Sequence, residues 1–269
     1  MNPSSPSPST SPKVAQVLFS VENGIAHITF DHVAARNAMT VAMYERLRSI
    51  CLEVTKTPSI RVAVLRGAGG KSFVSGSDIA QFSDFTRGDD GIAYEASIDT
   101  YFAPLIDLPI PTIAVIEGLA VGGGLAIASC CDFRIATHDA RFGVPIARTL
   151  GNCLSVGNVA WLTHHLGVNV VKRMLLLAEL VTASELLANG FVLKTYAADE
   201  MDAAVQALAS KLSALAPVTQ KVSKATIHRI LRSQLPNCDD LIRECYASDD
   251  FKTGVHAFLA GIPPNWQGK

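Results

Sequence analysis

The chain alternates between short apolar runs and longer segments in which apolar residues recur every three or four positions. "VAQVLFS" and "IAHITF" are rich in β-branched and aromatic residues and flank "ENG", which predicts two strands joined by a tight turn. "TVAMYERLRSICLEV" places Met43, Leu47, Ile50 and Val54 on one face, predicting an amphipathic helix with Thr40 as its N-cap. "RVAVLRG" and "TIAVIEG" are almost wholly apolar, the pattern of strands buried on both faces between helices. "AGGKSFVSGSDI" reads as a loop and "GIAYEASIDTYFAPLIDL" as a helix, while "DFRIAT" and "ARFGV" read as short strands. Beyond about Ser155 the period is helical almost throughout, from "NVAWLTHHLG" to "DFKTGVHAFLAG". Strand–helix units therefore come first and helices second. The apolar faces of that second region either complete one core or pack against another copy of the chain.

Length and composition narrow this little. With 269 residues and 49% apolar content, the chain suits one domain, or one domain with a smaller appendage. A net charge of −1 gives no reason to expect a nucleic acid or an anionic membrane as partner. No apolar run reaches the roughly 18 residues of a bilayer span. The Ser/Pro stretch "MNPSSPSPSTSPK" has neither the apolar centre of a signal peptide nor the arginines of a transit peptide, and residues 1–13 are expected to form a disordered tail. Six irregularly spaced cysteines without a CxxC pair fit reduced thiols in a cytoplasmic protein, with no metal site expected.

The chemistry concentrates at two glycine-bearing strand–helix junctions. In "IAVIEGLAVGGGLAIASCC" three glycines, Gly122 to Gly124, join an apolar strand to an apolar helix. A helix entrance carries unpaired N–H groups, and a residue without Cβ lets a ligand approach them. Such a junction suits an anion or a developing oxyanion; equally, glycine serves close packing of helix on strand. The pattern is not G-x-G-x-x-G, so a dinucleotide fold is not indicated. "VAVLRGAGGKSFVSGSDIAQF" repeats the arrangement, with the Ser77 N–H leaving the turn and a helix opening at Asp78, whose carboxylate reads as a cap. Two junctions with one donor each make a two-pronged oxyanion hole.

These two stretches, with "ITFDHVAARNAMT", "ARFGVP" and the closing "DFKTGVHAFLAGIPPNW", resemble the crotonase, or enoyl-CoA hydratase/isomerase, superfamily from about Val14 to Trp266. The resemblance implies an α/β fold: a spiral of ββα units over 14–200 carrying the site, then a helical region over 201–269 that drives assembly into homotrimers or hexamers. It implies an acyl-CoA thioester as substrate, with coenzyme A part of that substrate and no separate cofactor. The thioester oxygen would lie between the Ser77 and Gly123 N–H groups. Ser77, Asp78, Ile79 and Ala80 would flank the CoA, and Ser75, Gly122, Gly123 and Ile146 belong to the same substrate and CoA site. Arg36 stands where basic residues of the family approach the CoA phosphates, although it also reads as a solvated loop arginine.

The chain departs from the family's hydratases at both catalytic glutamates. Their positions hold Ala126 and Ile146 here, and neither can move a proton. Other groups must then supply the proton chemistry. Glu95 and Asp99, spaced i, i+4, share a helix face that either lines the pocket or meets solvent. Cys153 is either a nucleophile or a small buried residue. The expectation is an acyl-CoA lyase or isomerase acting through an enolate by isomerisation, elimination or decarboxylation. The alternatives are an acyl-CoA-binding scaffold without catalysis, or a thioester hydrolase. The Lys-Arg pair that many relatives carry near the C-terminus is replaced by Gly261 and Ile262, which weakens any expected CoA contact from a neighbouring subunit.

Overall fold

The runs flanking "ENG" form β1 (Gln16–Glu22) and β2 (Ile25–Asp31) in the computed structural model, which describes residues 14–233 and 235–268. The tail expected over 1–13 lies outside those residues. β1 and β2 pair antiparallel through the two-residue loop Asn23-Gly24, both residues at positive φ, the conformation a tight Asn-Gly hairpin requires. Helix α1 (Val41–Thr55) follows, with the Thr40 side chain accepting from the Met43 N–H as its N-cap. Its predicted apolar face is buried, and Tyr44 and Cys51 are buried with it.

From here the chain winds as a spiral. β3 (Val62–Gly67), β5 (Thr112–Ile116) and β7 (Phe133–Thr137) enter a large sheet. Each is followed by a short strand in a smaller sheet: β4 (Ser72–Val74), β6 (Leu119–Val121) and β8 (Arg141–Gly143). A helix closes each turn: α2 (Gly88–Ile106), α3 (Gly123–Cys130) and α4 (Ile146–Thr149). β2, β3, β5 and β7 run parallel, as do β4, β6 and β8.

The apolar strands are buried on both faces, as their composition predicts. Ala63 and Leu65 of β3 face one core with α1, while Val62 and Val64 face another closed by α8 (Met201–Ser213). Before α8 come α5 (Val156–Leu166), α6 (Val168–Leu176) and α7 (Ala183–Asn189). After it come α9 (Pro217–Leu231), α10 (Asp239–Ala247) and α11 (Asp249–Ala260).

Several local expectations change. The "AGGKSFVSGSDI" loop contains β4, and β6 lies inside the glycine stretch. Two further short strands, β9 (Val181–Thr182) and β10 (Lys194–Tyr196), interrupt the helical half and extend the two sheets. The element at Asp78 is a 3-10 turn over Ile79–Phe82 rather than an α-helix, although the Asp78 carboxylate does cap it, accepting from the Ala80 N–H at 3.1 Å. Elements of two or three residues are too short to show any period, which is why they escape sequence reading.

The C-terminal helices return to the spiral. α10 lies on α2 so closely that a Cβ on Gly88 would overlap the Arg243 carbonyl, and one on Gly91 the Tyr246 ring. Phe82, Leu150, Ile242, Tyr246, Phe251 and Val255 form a separate apolar cluster at this contact. Among the described residues no helix is long and apolar enough to cross a membrane.

Candidate active site

The first junction is fixed by a loop sewn to it. Asn37, fully buried, accepts from the His32 N–H and donates to the Ala68 and Ser72 carbonyls. These bonds hold Arg36 and Asn37 at positive φ, a conformation a non-glycine residue keeps only when its surroundings fix it. Ser75 Oγ donates to the Ala35 carbonyl at 3.1 Å. Met39 then bridges Ser77: its N–H donates to the Gly76 carbonyl and its carbonyl accepts from the Asp78 N–H, both at 2.8 Å. In an extended chain alternate N–H groups point to opposite sides, so binding the groups on either side of Ser77 turns the Ser77 N–H the other way.

The second junction faces the first. Gly122 adopts φ +55, ψ −122, which few side chains tolerate, and a Cβ on Gly124 would overlap the Val74 carbonyl. Gly123 opens α3, with its Cβ position 3.6 Å from Ser77 Oγ. Among the described residues neither the Ser77 nor the Gly123 N–H donates to a protein acceptor. Both residues line one cavity of about 610 Å³. Ser75, Asp78, Ile79, Ala80, Gly122 and Ile146 lie on its wall as well, and so do Arg36 and Glu95. Ala126 also lines it.

The two remaining candidates sit elsewhere. Asp99 lies off the cavity wall, one helical turn beyond Glu95, with its carboxylate accepting from Ser155 Oγ at 2.9 Å. Cys153 is also off the wall, packed beside the cluster around Phe82 and Tyr246. The neighbouring Cys245 thiol, reinforced by burial, pushes its thiol pKa up, which disfavours the thiolate a nucleophile needs.

Glu95 is 2% exposed, so its side of α2 is not a solvated face. Its Oε1 accepts from the Tyr246 hydroxyl and its Oε2 from the Ser155 N–H, both at 2.7 Å. Burial pushes its pKa up to about 7, against the two hydrogen bonds, which pull it down, while the Asp99 carboxylate adds a smaller upward push. A carboxyl with that proton affinity exchanges protons readily at neutral pH.

This shift has a consequence for stability. Folded, Glu95 holds its proton up to about pH 7; unfolded, it releases it near the ordinary 4.5. The folded state therefore has an advantage below the unfolded pKa that is lost as pH rises through the folded one. Glu95→Gln does not titrate. Its stability relative to the natural protein is expected to rise by about 3 kcal/mol between about pH 4 and pH 8, measured by urea unfolding. A difference that stays flat over that range would show that Glu95 ionises normally.

Sequence reading missed how hydroxyl groups join around Ser77. Ser77 Oγ is hydrogen-bonded to Tyr44 Oη at 2.9 Å and to Tyr94 Oη at 2.7 Å. Tyr44 sits on the buried face of α1, where its sequence position looks like ordinary core. Three hydroxyls share two bonds, so one O–H proton is left without a partner inside the group. Asn152 also lines the cavity, with its Oδ1 buried and without a partner.

The sequence matches the Enoyl-CoA hydratase/isomerase family over residues 20–269, and the chain belongs to that family. It is 30% identical to the short-chain-enoyl-CoA hydratase of Clostridium acetobutylicum, over 90% of this chain and 94% of that one. It is also 30% identical to the (E)-benzylidenesuccinyl-CoA hydratase of Thauera aromatica, over 94% and 99% of the two chains. Among solved structures, methylmalonyl-CoA decarboxylase in complex with 2-nitronate-propionyl-CoA superposes with a TM-score of 0.86 at 25% identity, covering 94% of this chain and 98% of that one.

Proposed function

We propose that this protein binds an acyl-CoA thioester, holds its carbonyl oxygen between the Ser77 and Gly123 N–H groups, and removes an α proton with Glu95. The observation that carries this reading is the joint presence, on one cavity, of two backbone donors without protein acceptors and a buried carboxyl with a pKa near 7. The α C–H bond breaks, its proton passes to Glu95, and its electron pair forms the enolate, with the negative charge on the oxygen in the hole. Each such donor is worth about 3–4 kcal/mol to a developing oxyanion. Return of the proton to a different carbon isomerises a double bond; loss of a β substituent completes an elimination. Both routes use Glu95 directly. Decarboxylation fits less well, because it would set a second carboxylate beside Glu95.

Arg36 at the cavity wall suits the CoA phosphates, and Ser75 to Ala80 suit the pantetheine and adenine. The chain is proposed to assemble as a homotrimer or hexamer in the cytoplasm. Val218, Val222, Ile227 and Ile230 on α9 and Leu176 and Leu177 at the C-terminal end of α6 are exposed, as an assembly surface requires. Calorimetry with short and aromatic acyl-CoAs tests the binding step. The thioester should bind more tightly than the matching free acid, whose carboxylate lacks the CoA contacts. Equal affinities, or no binding across the panel, would remove the reading.

A further inference from the structure

Glu95 reaches the cavity from α2, but its strongest side-chain partner comes from 151 residues further along the chain, on α10. We infer that Tyr246 is a positioning residue: its hydroxyl, brought over α2 by the C-terminal helices, fixes the Glu95 carboxyl and sets its affinity for a proton. This deepens the proposed function and takes its catalytic meaning from the reading of Glu95 as the proton acceptor.

The geometry leaves Tyr246 little freedom. It is 1% exposed. Its ring lies where a Cβ on Gly91 would have to be, one turn before Glu95 on the same helix. Phe251 packs against it at 4.8 Å between ring centroids and Phe85 at 5.9 Å. The hydroxyl has one proton, given to Glu95 Oε1, and it accepts from Asn152 Nδ2 at 3.4 Å. Asn152 itself lines the cavity. The arrangement is a short relay, from amide to phenol to carboxyl, with every link directed towards Glu95.

Such a donor stabilises the charged carboxylate more than the neutral acid. Burial acts the other way, and the result is a group poised near neutrality. The other groups facing Glu95 leave this role to Tyr246. On α2 itself they are Tyr94 and Asp99, and from α1 Tyr44. From the segment before α5 they are the Ser155 N–H and Cys153, and from α10 also Cys245. Asp99 is occupied by Ser155 Oγ, and the phenols of Tyr44 and Tyr94 are joined to Ser77. The Ser155 N–H is fixed in the backbone. Tyr246 is thus the side chain whose removal changes the proton affinity of Glu95 without touching the oxyanion donors.

The test uses the full-length protein and two replacements of opposite effect. Tyr246→Phe keeps the ring against Gly91 and removes the donor. Incorporation of 3-fluorotyrosine at position 246 keeps the ring and strengthens the donor. Protonation of Glu95 is followed by pH-difference infrared spectroscopy of its carboxyl band, identified by its loss in Glu95→Gln. The Phe variant is expected to raise the midpoint by about one to two pH units, the worth of a hydrogen bond to a charged group. The fluorotyrosine variant is expected to lower it. Where α-proton exchange of a bound acyl-CoA is measured beside it, the acid limb should follow the same shifts, about tenfold in rate per unit below the midpoint. Midpoints equal in all three proteins would overturn the inference, whatever the exchange assay shows. Midpoints that move while exchange does not follow would keep the inference and remove Glu95 as the base. The fluorotyrosine arm decides the matter even if the Phe variant folds poorly.

Discussion

Crotonyl-CoA is expected to be hydrated by this protein at least ~10²-fold, and up to ~10⁴-fold, more slowly than the roughly 10 s⁻¹ of an ordinary enzyme. Adding water to a conjugated thioester takes two proton transfers in concert: one from the attacking water and one to the α carbon. The resemblance places the two groups for this at positions 126 and 146. Both positions lie on the cavity wall, and they hold alanine and isoleucine. Glu95 is a single carboxyl, held by Tyr246 and Ser155, and can serve one transfer only at a time. Loss of the ultraviolet absorbance of the conjugated thioester measures the rate. A turnover near 10 s⁻¹ or above would show that a second acid–base group has been overlooked. The similarity to proteins named as hydratases makes this a sharp comparison: at 30% identity the fold is kept, while the side chains that decide the reaction are free to differ.

How much of this was readable beforehand varies with the range over which the cause acts. β3 and β5 are written locally: each is a run of apolar residues, and each is buried on both faces. The Gly122–Gly124 turn is legible too, because its backbone conformation and its contact with Val74 exclude side chains, and only glycine meets both demands. Ser77 is legible only by pairing its junction with the second one. Its hold on Met39, and the buried Asn37 that anchors the loop, depend on strands brought together by folding. Glu95 is the clearest limit. By spacing it pairs with Asp99 on what could equally be a solvated face; in the structure both carboxylates accept from Ser155, and Glu95 lines the cavity wall while Asp99 does not. What buries Glu95 is α10, and nothing near residue 95 announces it. Tyr44 and Tyr246 escape for the same reason: in sequence each is an aromatic on an apolar helix face, and its hydroxyl finds a partner only in the folded chain.

The central claim is that the two backbone donors and Glu95 together make an enolate. Exchange of α protons for deuterium tests it most directly, using a saturated acyl-CoA shown by calorimetry to bind, with NMR in D₂O as the readout. A saturated thioester offers no double bond to hydrate and no β substituent to lose, so exchange reports proton removal alone. Free in water, the α proton leaves very slowly, because the enolate charge is unsupported and no base is held near it. The hole supplies the first need and Glu95 the second. Exchange is expected well above the protein-free rate, falling by about 10²–10⁴-fold in Glu95→Gln. It should fall by a similar factor in Gly123→Pro, which deletes one donor N–H, and should persist in Asp99→Asn and Cys153→Ala, whose side chains stand off the cavity wall. Exchange at the protein-free rate across a panel of acyl-CoAs that bind would contradict the account and leave a thioester-binding scaffold in its place.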